Sequence, residues 1–179
     1  MEVIPGVYQL GVRWANVILL VGEEITLVDT GWGGSSKKIL NFINQLGRSP
    51  SDITRIIITH DHIDHAGNVA QLQKLCAARV AVHKADAPYV SGERRQPIPI
   101  SNKALAFPLR PFRPVINTEP ATVDIILEDG DEFDSPIGLK VIHTPGHTPG
   151  SICLLSEEKS LLIIGDALNN RRGRLSFQT

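Results

Sequence analysis

The sequence predicts an α/β domain in which two β-sheets pack together with helices outside them. Two observations carry this. Short β-prone segments open the chain, helices then mix with strands, and a second run of strands follows. Residues 37–46 and the stretch after His65 instead place apolar side chains at helical spacing. At 179 residues the chain has the length of a single domain, 1–179, and can bury a proper core.

Residues 7–12 and 16–21 are β-prone, and the turn Gly22-Glu23-Glu24 leads into a third strand over 25–28, forming a hairpin. That strand ends in Asp29-Thr30-Gly31-Trp32-Gly33-Gly34, where glycine permits a tight turn. Ser35 or Ser36 is placed to cap a helix over 37–46. Its Ile39, Phe42, Ile43 and Leu46 recur at i, i+3, i+4 and i+7, and Gly47 stands at its stop. Ser49-Pro50 breaks the chain before a strand over 55–59. Val69, Leu72, Leu75 and Cys76 form the apolar stripe of a helix starting near His65. Residues 79–83 are the next strand, parallel to its predecessor if the helix between them is a crossover.

Residues 84–118 differ in character. Pro88, Pro97, Pro99, Pro108, Pro111 and Pro114 punctuate them, with Arg94, Arg95, Arg110 and Arg113 interspersed. Only residues 102–107 suggest a helical turn or two. A long irregular insert in a small domain reads as a lid or pocket wall. Strands follow over 122–127, 139–143, 151–155 and 161–165.

The net charge of -1 argues against a nucleic-acid partner or an acidic membrane surface. No apolar run is long enough to span a membrane, and Met1 to Gly6 lacks the basic and apolar regions of a secretory signal. Cys76 and Cys153 are too few for a disulfide framework and read as small core residues of a cytoplasmic protein.

The chemistry concentrates in Thr59-His60-Asp61-His62-Ile63-Asp64-His65, directly after the apolar Ile56-Ile57-Ile58. Three imidazoles and two carboxylates crowded at a strand end call for a cation to gather them. His60 and His62 are two apart and share a face of an extended segment; Asp64 and His65 follow as the chain turns into helix. Four such donors exceed what one ion conveniently takes, which argues for two sites. His147, in the rigid loop His143-Thr144-Pro145-Gly146-His147-Thr148-Pro149-Gly150, is a further ligand candidate. Asp166, at the end of the strand over 161–164, has the two oxygens needed to bridge ions about 3.5–4 Å apart.

This ordered set, together with Leu27-Val28-Asp29-Thr30-Gly31, resembles the metallo-β-lactamase superfamily over almost the whole chain. The resemblance implies an αββα sandwich with a metal site at one edge between the sheets. It implies one ion held by His60, His62 and His147, and another held with the help of Asp64 and His65, with Asp166 bridging. The family usually adds a histidine after its last helix. Thirteen residues follow Asp166 here and none is histidine, so a C-terminally shortened sandwich is expected, its last helix absent and an apolar sheet face left for a second copy to cover.

Other roles are open. Asp64 also suits the N-cap of the following helix. Asp61 is expected to point away from the metal or to hold an imidazole's tautomer. Asp29 is expected to fix the turn beside the site, His143 to support the ligand loop, and His83 to lie in the core or a pocket wall. Arg171, Arg172 and Arg174 form either an anion contact or a solvated loop.

The function expected from these residues is metal-dependent hydrolysis by metal-activated hydroxide, with Asp64 orienting the hydroxide and shuttling a proton; the resemblance implies a small ester, thioester or lactone as substrate. Zinc, one or two ions, is the default; iron or manganese also suits these ligands. An iron-dependent oxygenase resembling persulfide dioxygenases, or a weakly metal-binding module without catalysis, are the alternatives.

Overall fold

Period-two alternation along the central strands sets the layers. In β1 (Glu2–Ile4), β2 (Val7–Val12), β3 (Ala15–Val21), β4 (Ile25–Val28), β5 (Ile53–Ile58), β6 (Arg79–His83) and β7 (Ile125–Leu127), neighbours in sequence are neighbours in one seven-stranded sheet. The pairs from β1 to β4 are antiparallel and those from β4 to β7 parallel. Leu27, Ile56, Ile58, Val80 and Val82 face one apolar cluster, whereas Val28, Ile57 and Ala81 face another. Parallel strands covered on both faces read as unbroken apolar runs, which is why Ile56-Ile57-Ile58 shows no alternation of polarity. A computed structural model describes residues 1–95, 118–171 and 174–177 of this arrangement.

Helices α1 (Ser36–Gln45), α2 (Ile63–Ala66), α3 (Val69–Cys76) and α4 (Ala87–Val90) all feed the first cluster, through Ile39, Ile43, Ala66, Val69, Leu72, Ala87 and Val90. On the other face packs a four-stranded antiparallel sheet of β8 (Glu132–Phe133), β9 (Leu139–His143), β10 (Ile152–Ser156) and β11 (Leu161–Ile163), in the order β11-β10-β9-β8. Its Leu139, Val141, Ile152 and Leu154 interlock with Val7, Leu20, Val28 and Ile57. Each such side chain, fully buried, contributes about 1.5–3 kcal/mol. The outward face of this second sheet carries Lys140, Ile142, Leu155 and Leu162, the last 47% exposed. No described helix covers it. The described chain ends instead in a hairpin of β12 (Leu168–Arg171) and β13 (Arg174–Phe177), which the sequence pattern did not announce.

Several expectations shift. The helix expected from His65 onward is two helices, because the His65 carbonyl accepts from the Thr30 amide and hydroxyl rather than serving the next turn. Leu75 is 56% exposed, outside the arc that Val69, Leu72 and Cys76 turn to the core. Neither Ser35 nor Ser36 caps α1 through its side chain; Asn68 Oδ1 accepts from the Gly34 and Ser35 amides at that end instead. The strand expected over 122–127 starts only at Ile125, since Gln73 holds both backbone groups of Thr122. Most of the expected lid, including residues 102–107 and the prolines from Pro97 to Pro114, lies outside the described residues, as does Arg172. Cys76 and Cys153 are buried and free. No helix among the described residues is long and apolar enough to cross a membrane.

Candidate metal centre

The carboxyl ends of parallel strands form the crevice where α/β sheets gather ligands. Here β4, β5 and β6 deliver Asp29, the 59–65 segment and the His83–Asp86 turn to one edge. The second sheet brings the loop between β9 and β10, and the end of β11, to that edge; the Ile152 amide donating to the Thr59 carbonyl at 3.0 Å ties the sheets together.

Two donor triads result. Ligand atoms of His60, His62 and His147 lie within 4.8 Å of one another, and so do those of His60, His65 and Asp166. The four rings crowd together, with His62 and His147 centroids 4.4 Å apart and His60 and His65 4.0 Å apart. His60 belongs to both triads.

A chain of hydrogen bonds sets the tautomer of His60. The Thr59 hydroxyl lies 2.8 Å from Asp29 Oδ2 and 3.1 Å from His60 Nδ1. Asp29 is only an acceptor, so the single hydroxyl proton goes to it, and Nδ1–H of His60 donates to the hydroxyl oxygen. The lone pair is thereby on Nε2. That atom is buried with no hydrogen-bond partner among the described residues, and Nε2 of His147, likewise without a hydrogen bond, lies 3.5 Å from Asp166 Oδ2. A buried nitrogen left with nothing to bind, beside imidazole and carboxylate donors, is what a metal ligand looks like before its ion, so this donor set fits a divalent cation. Burial, reinforced by the neighbouring rings of His65, His62 and His147, holds His60 neutral far below the usual imidazole range. Burial and His147 likewise lower His62.

His65 is different. Its Nδ1–H donates to Asp29 Oδ2 at 2.8 Å and its Nε2 lies 3.3 Å from Asp166 Oδ1. Burial opposes the charge, but Asp29 and Asp166 outweigh it and push His65 up to about 10. The hydrogen bond from His65 in turn lowers Asp166. Without metal, the His65 imidazolium serves as the cation of the second triad. Asp29, placed by sequence as a fixer of the turn, thus anchors both His65 and Thr59 from a left-handed backbone conformation, φ +63°.

Asp64 belongs to neither triad; it sits half-buried in the first turn of α2, near enough to His62 to favour its charged form, and the N-cap position is taken by His62. Asp61 is buried, and its amide donates to Asp86. His143 is half-buried and stacks on the buried His83 at 4.0 Å, its Nε2 2.9 Å from the Pro149 carbonyl, so it braces the ligand loop from behind. The backbones of Arg171 and Arg174 are register partners between β12 and β13.

Two residues escaped the sequence reading. Asn68 donates to the carbonyls of Thr30, Gly31 and Trp32 and accepts from Gly34 and Ser35, clamping the turn after β4 against α3. Beside it, a Cβ on Gly67 would stand 2.5 Å from Gly33 N and 2.7 Å from Gly31 O, so only glycine fits. Asp86 is fully buried behind the two histidine loops. Gly67-Asn68, directly after the histidine cluster, was the available signal for the first; for the second it was an acid just past a parallel strand. A cavity of about 420 Å3 adjoins Asp29, His65 and Asp166 and is lined by apolar residues including Trp14, Ile18 and Ile164.

The sequence matches the metallo-beta-lactamase superfamily model over residues 10–177. The chain belongs to that superfamily. It is 33% identical over 179 residues to "Probable metallo-hydrolase YflN" of Bacillus subtilis, covering 93% of this chain and 66% of that protein. It is 30% identical over 180 residues to the human acyl-coenzyme A thioesterase MBLAC2, covering 90% of this chain and 60% of that one. Among solved structures, it is similar to a metallo-beta-lactamase family protein of Thermus thermophilus, with TM-score 0.75 and 26% identity over 95% of this chain and 62% of the other. A Cronobacter sakazakii metallo-beta-lactamase with a HARLDQ motif gives TM-score 0.72 at 28% identity, over 86% and 58% of the two chains. The chain thus spans about 60–66% of the length of these two curated relatives.

Proposed function

We propose that this protein is a metal-dependent hydrolase of small thioesters. The observation that carries the reading is the pair of triads sharing His60, whose buried Nε2 has no hydrogen-bond partner among the described residues. The thioester is suggested by the similarity to an acyl-coenzyme A thioesterase. His60, His62 and His147 would hold one ion, and His65 and Asp166 would contribute to a second. A zinc ion in such a set supplies Lewis acidity, which activates water near neutral pH and polarises a carbonyl.

The chain's own groups do the rest. Thr59 and Asp29 keep the His60 lone pair directed into the site. Asp29 also keeps Nδ1 of His65 occupied, leaving its Nε2 face for the site. Asp64, in the first turn of α2 near His62, takes the proton of the attacking water and returns it to the departing thiolate as the carbon–sulfur bond breaks.

The test is the purified chain, assayed for bound zinc, iron and manganese and then against thioester, lactone, β-lactam and phosphodiester substrates. Thioester cleavage by the zinc form, abolished in His62→Ala together with metal at the three-histidine triad, is the expected result. Stoichiometric iron with oxygen uptake would replace hydrolysis by oxygenation. Bound metal without turnover of any substrate would leave a binding module.

A further inference from the structure

Asp86 occupies the N-cap of α4, where an aspartate ordinarily accepts hydrogen bonds from the first turn of its own helix. It makes no such bond. Its side chain turns the other way, is completely buried, and accepts from three donors far away in sequence. Oδ2 accepts from the Asp61 amide at 3.1 Å and from the Thr148 hydroxyl at 2.6 Å, and Oδ1 accepts from the Gly150 amide at 2.7 Å. Asp61 lies between His60 and His62. Thr148 and Gly150 belong to the loop that presents His147.

Burying a carboxylate is costly unless charged hydrogen bonds compensate it. The fold makes room for this one: a Cβ on Gly150 would lie 2.5 Å from Asp86 Cγ and 2.6 Å from its amide nitrogen. Thr148 is locked in turn by Ser151, whose Oγ accepts from the Thr148 amide at 3.0 Å. The two histidine loops come from different sheets, and their ligand atoms must still meet within 4.8 Å. One carboxylate, contributed by a third element, grips both.

We infer that Asp86 is a positioning residue for the metal centre, setting the distance between His60 and His62 on one side and His147 on the other. The inference rests on the metal-hydrolase reading but concerns affinity rather than turnover. Groups that support metal ligands from behind typically govern affinity by about 10–100-fold. Asp86→Asn keeps the shape but turns an amide N–H toward one of the three donors. It should weaken zinc binding at the three-histidine triad by about that factor. Thr148→Val removes one donor at equal volume and should produce a smaller loss, while Thr148→Ser, which retains the hydroxyl, should restore the parent affinity.

The measurement is zinc affinity by chelator competition for the parent chain and the three variants, with far-ultraviolet circular dichroism and thermal melts run beside it. If Asp86→Asn does not fold, Thr148→Val decides. Parent affinity in a folded Asp86→Asn or in Thr148→Val overturns the inference and leaves the hydrolase reading standing. A parent chain that takes up no zinc, iron or manganese overturns both.

Discussion

The two triads share a histidine yet solve opposite electrostatic problems. Burial and the neighbouring rings hold His60 and His62 toward neutrality, and Nε2 of His60 has no hydrogen-bond partner among the described residues. The triad completed by His65 and Asp166 is already compensated, since Asp29 and Asp166 bracket a protonated ring. A cation entering the first meets only the longer contact of His147 Nε2 with Asp166 Oδ2, 3.5 Å. In the second it competes with a proton that Asp29 and Asp166 hold in place. The lesson is that similar ligand atoms do not make equivalent sites: the partners behind them decide which fills first and at what pH.

Removing the shared member is the strongest way to break the distinction. His60→Ala should bring metal content to background at both triads, whereas His62→Ala should spare the pairing of His65 with Asp29. Elemental analysis together with the titration of His65 by NMR checks this. A His60→Ala protein retaining full metal would refute the shared ligand.

Next in size is Asp29→Asn, which keeps a residue tolerant of the left-handed backbone but deletes the charge that holds His65. Breaking a buried pair of this kind should cost about 3 kcal/mol in urea melts of the metal-free chain. It should also bring the His65 titration down from about 10.

The pH dependence sharpens the contrast further. Below about pH 6.5 the unfolded chain protonates His60 and His62 while the folded chain resists, so metal-free stability falls with acid. His65 acts in the opposite sense: its contribution is complete below the unfolded value near 6.5 and is lost as pH rises through about 10. Denaturation midpoints of the metal-free chain, followed from acid through to alkaline solution, should therefore peak near neutrality. Zinc uptake at the second triad should release a proton, measurable in weakly buffered solution.

The smallest effect is expected away from both triads. Leu162→Gln, on the exposed face of the second sheet, should change stability by no more than about 0.5 kcal/mol and leave metal content untouched.

Much of this was legible in the chain. The strand over 25–28 and those over 79–83 and 139–143 coincide with β4, β6 and β9, because short β-branched and apolar runs bounded by turn residues are a local signal. The donors that meet in the two triads could be picked out as candidates because histidine and aspartate clusters are chemically costly without a cation. Asp64 illustrates the limit: its spacing suits a ligand, yet in the fold its carboxylate joins neither triad. Leu75 shows the same limit for packing, since an apolar residue at helical spacing can fall outside the buried arc.

By itself, then, the sequence determined which donor types are present, which strands carry them, and that they belong at a strand-end crevice. Only the tertiary structure decided that Thr59 sets the tautomer of His60, that Asn68 clamps the turn after β4, and that Asp86 abandons its own helix to join two loops far apart in the chain. The reason is physical. Propensity and periodicity act between near neighbours, whereas hydrogen-bond partners for buried polar groups are found wherever the folded chain brings them.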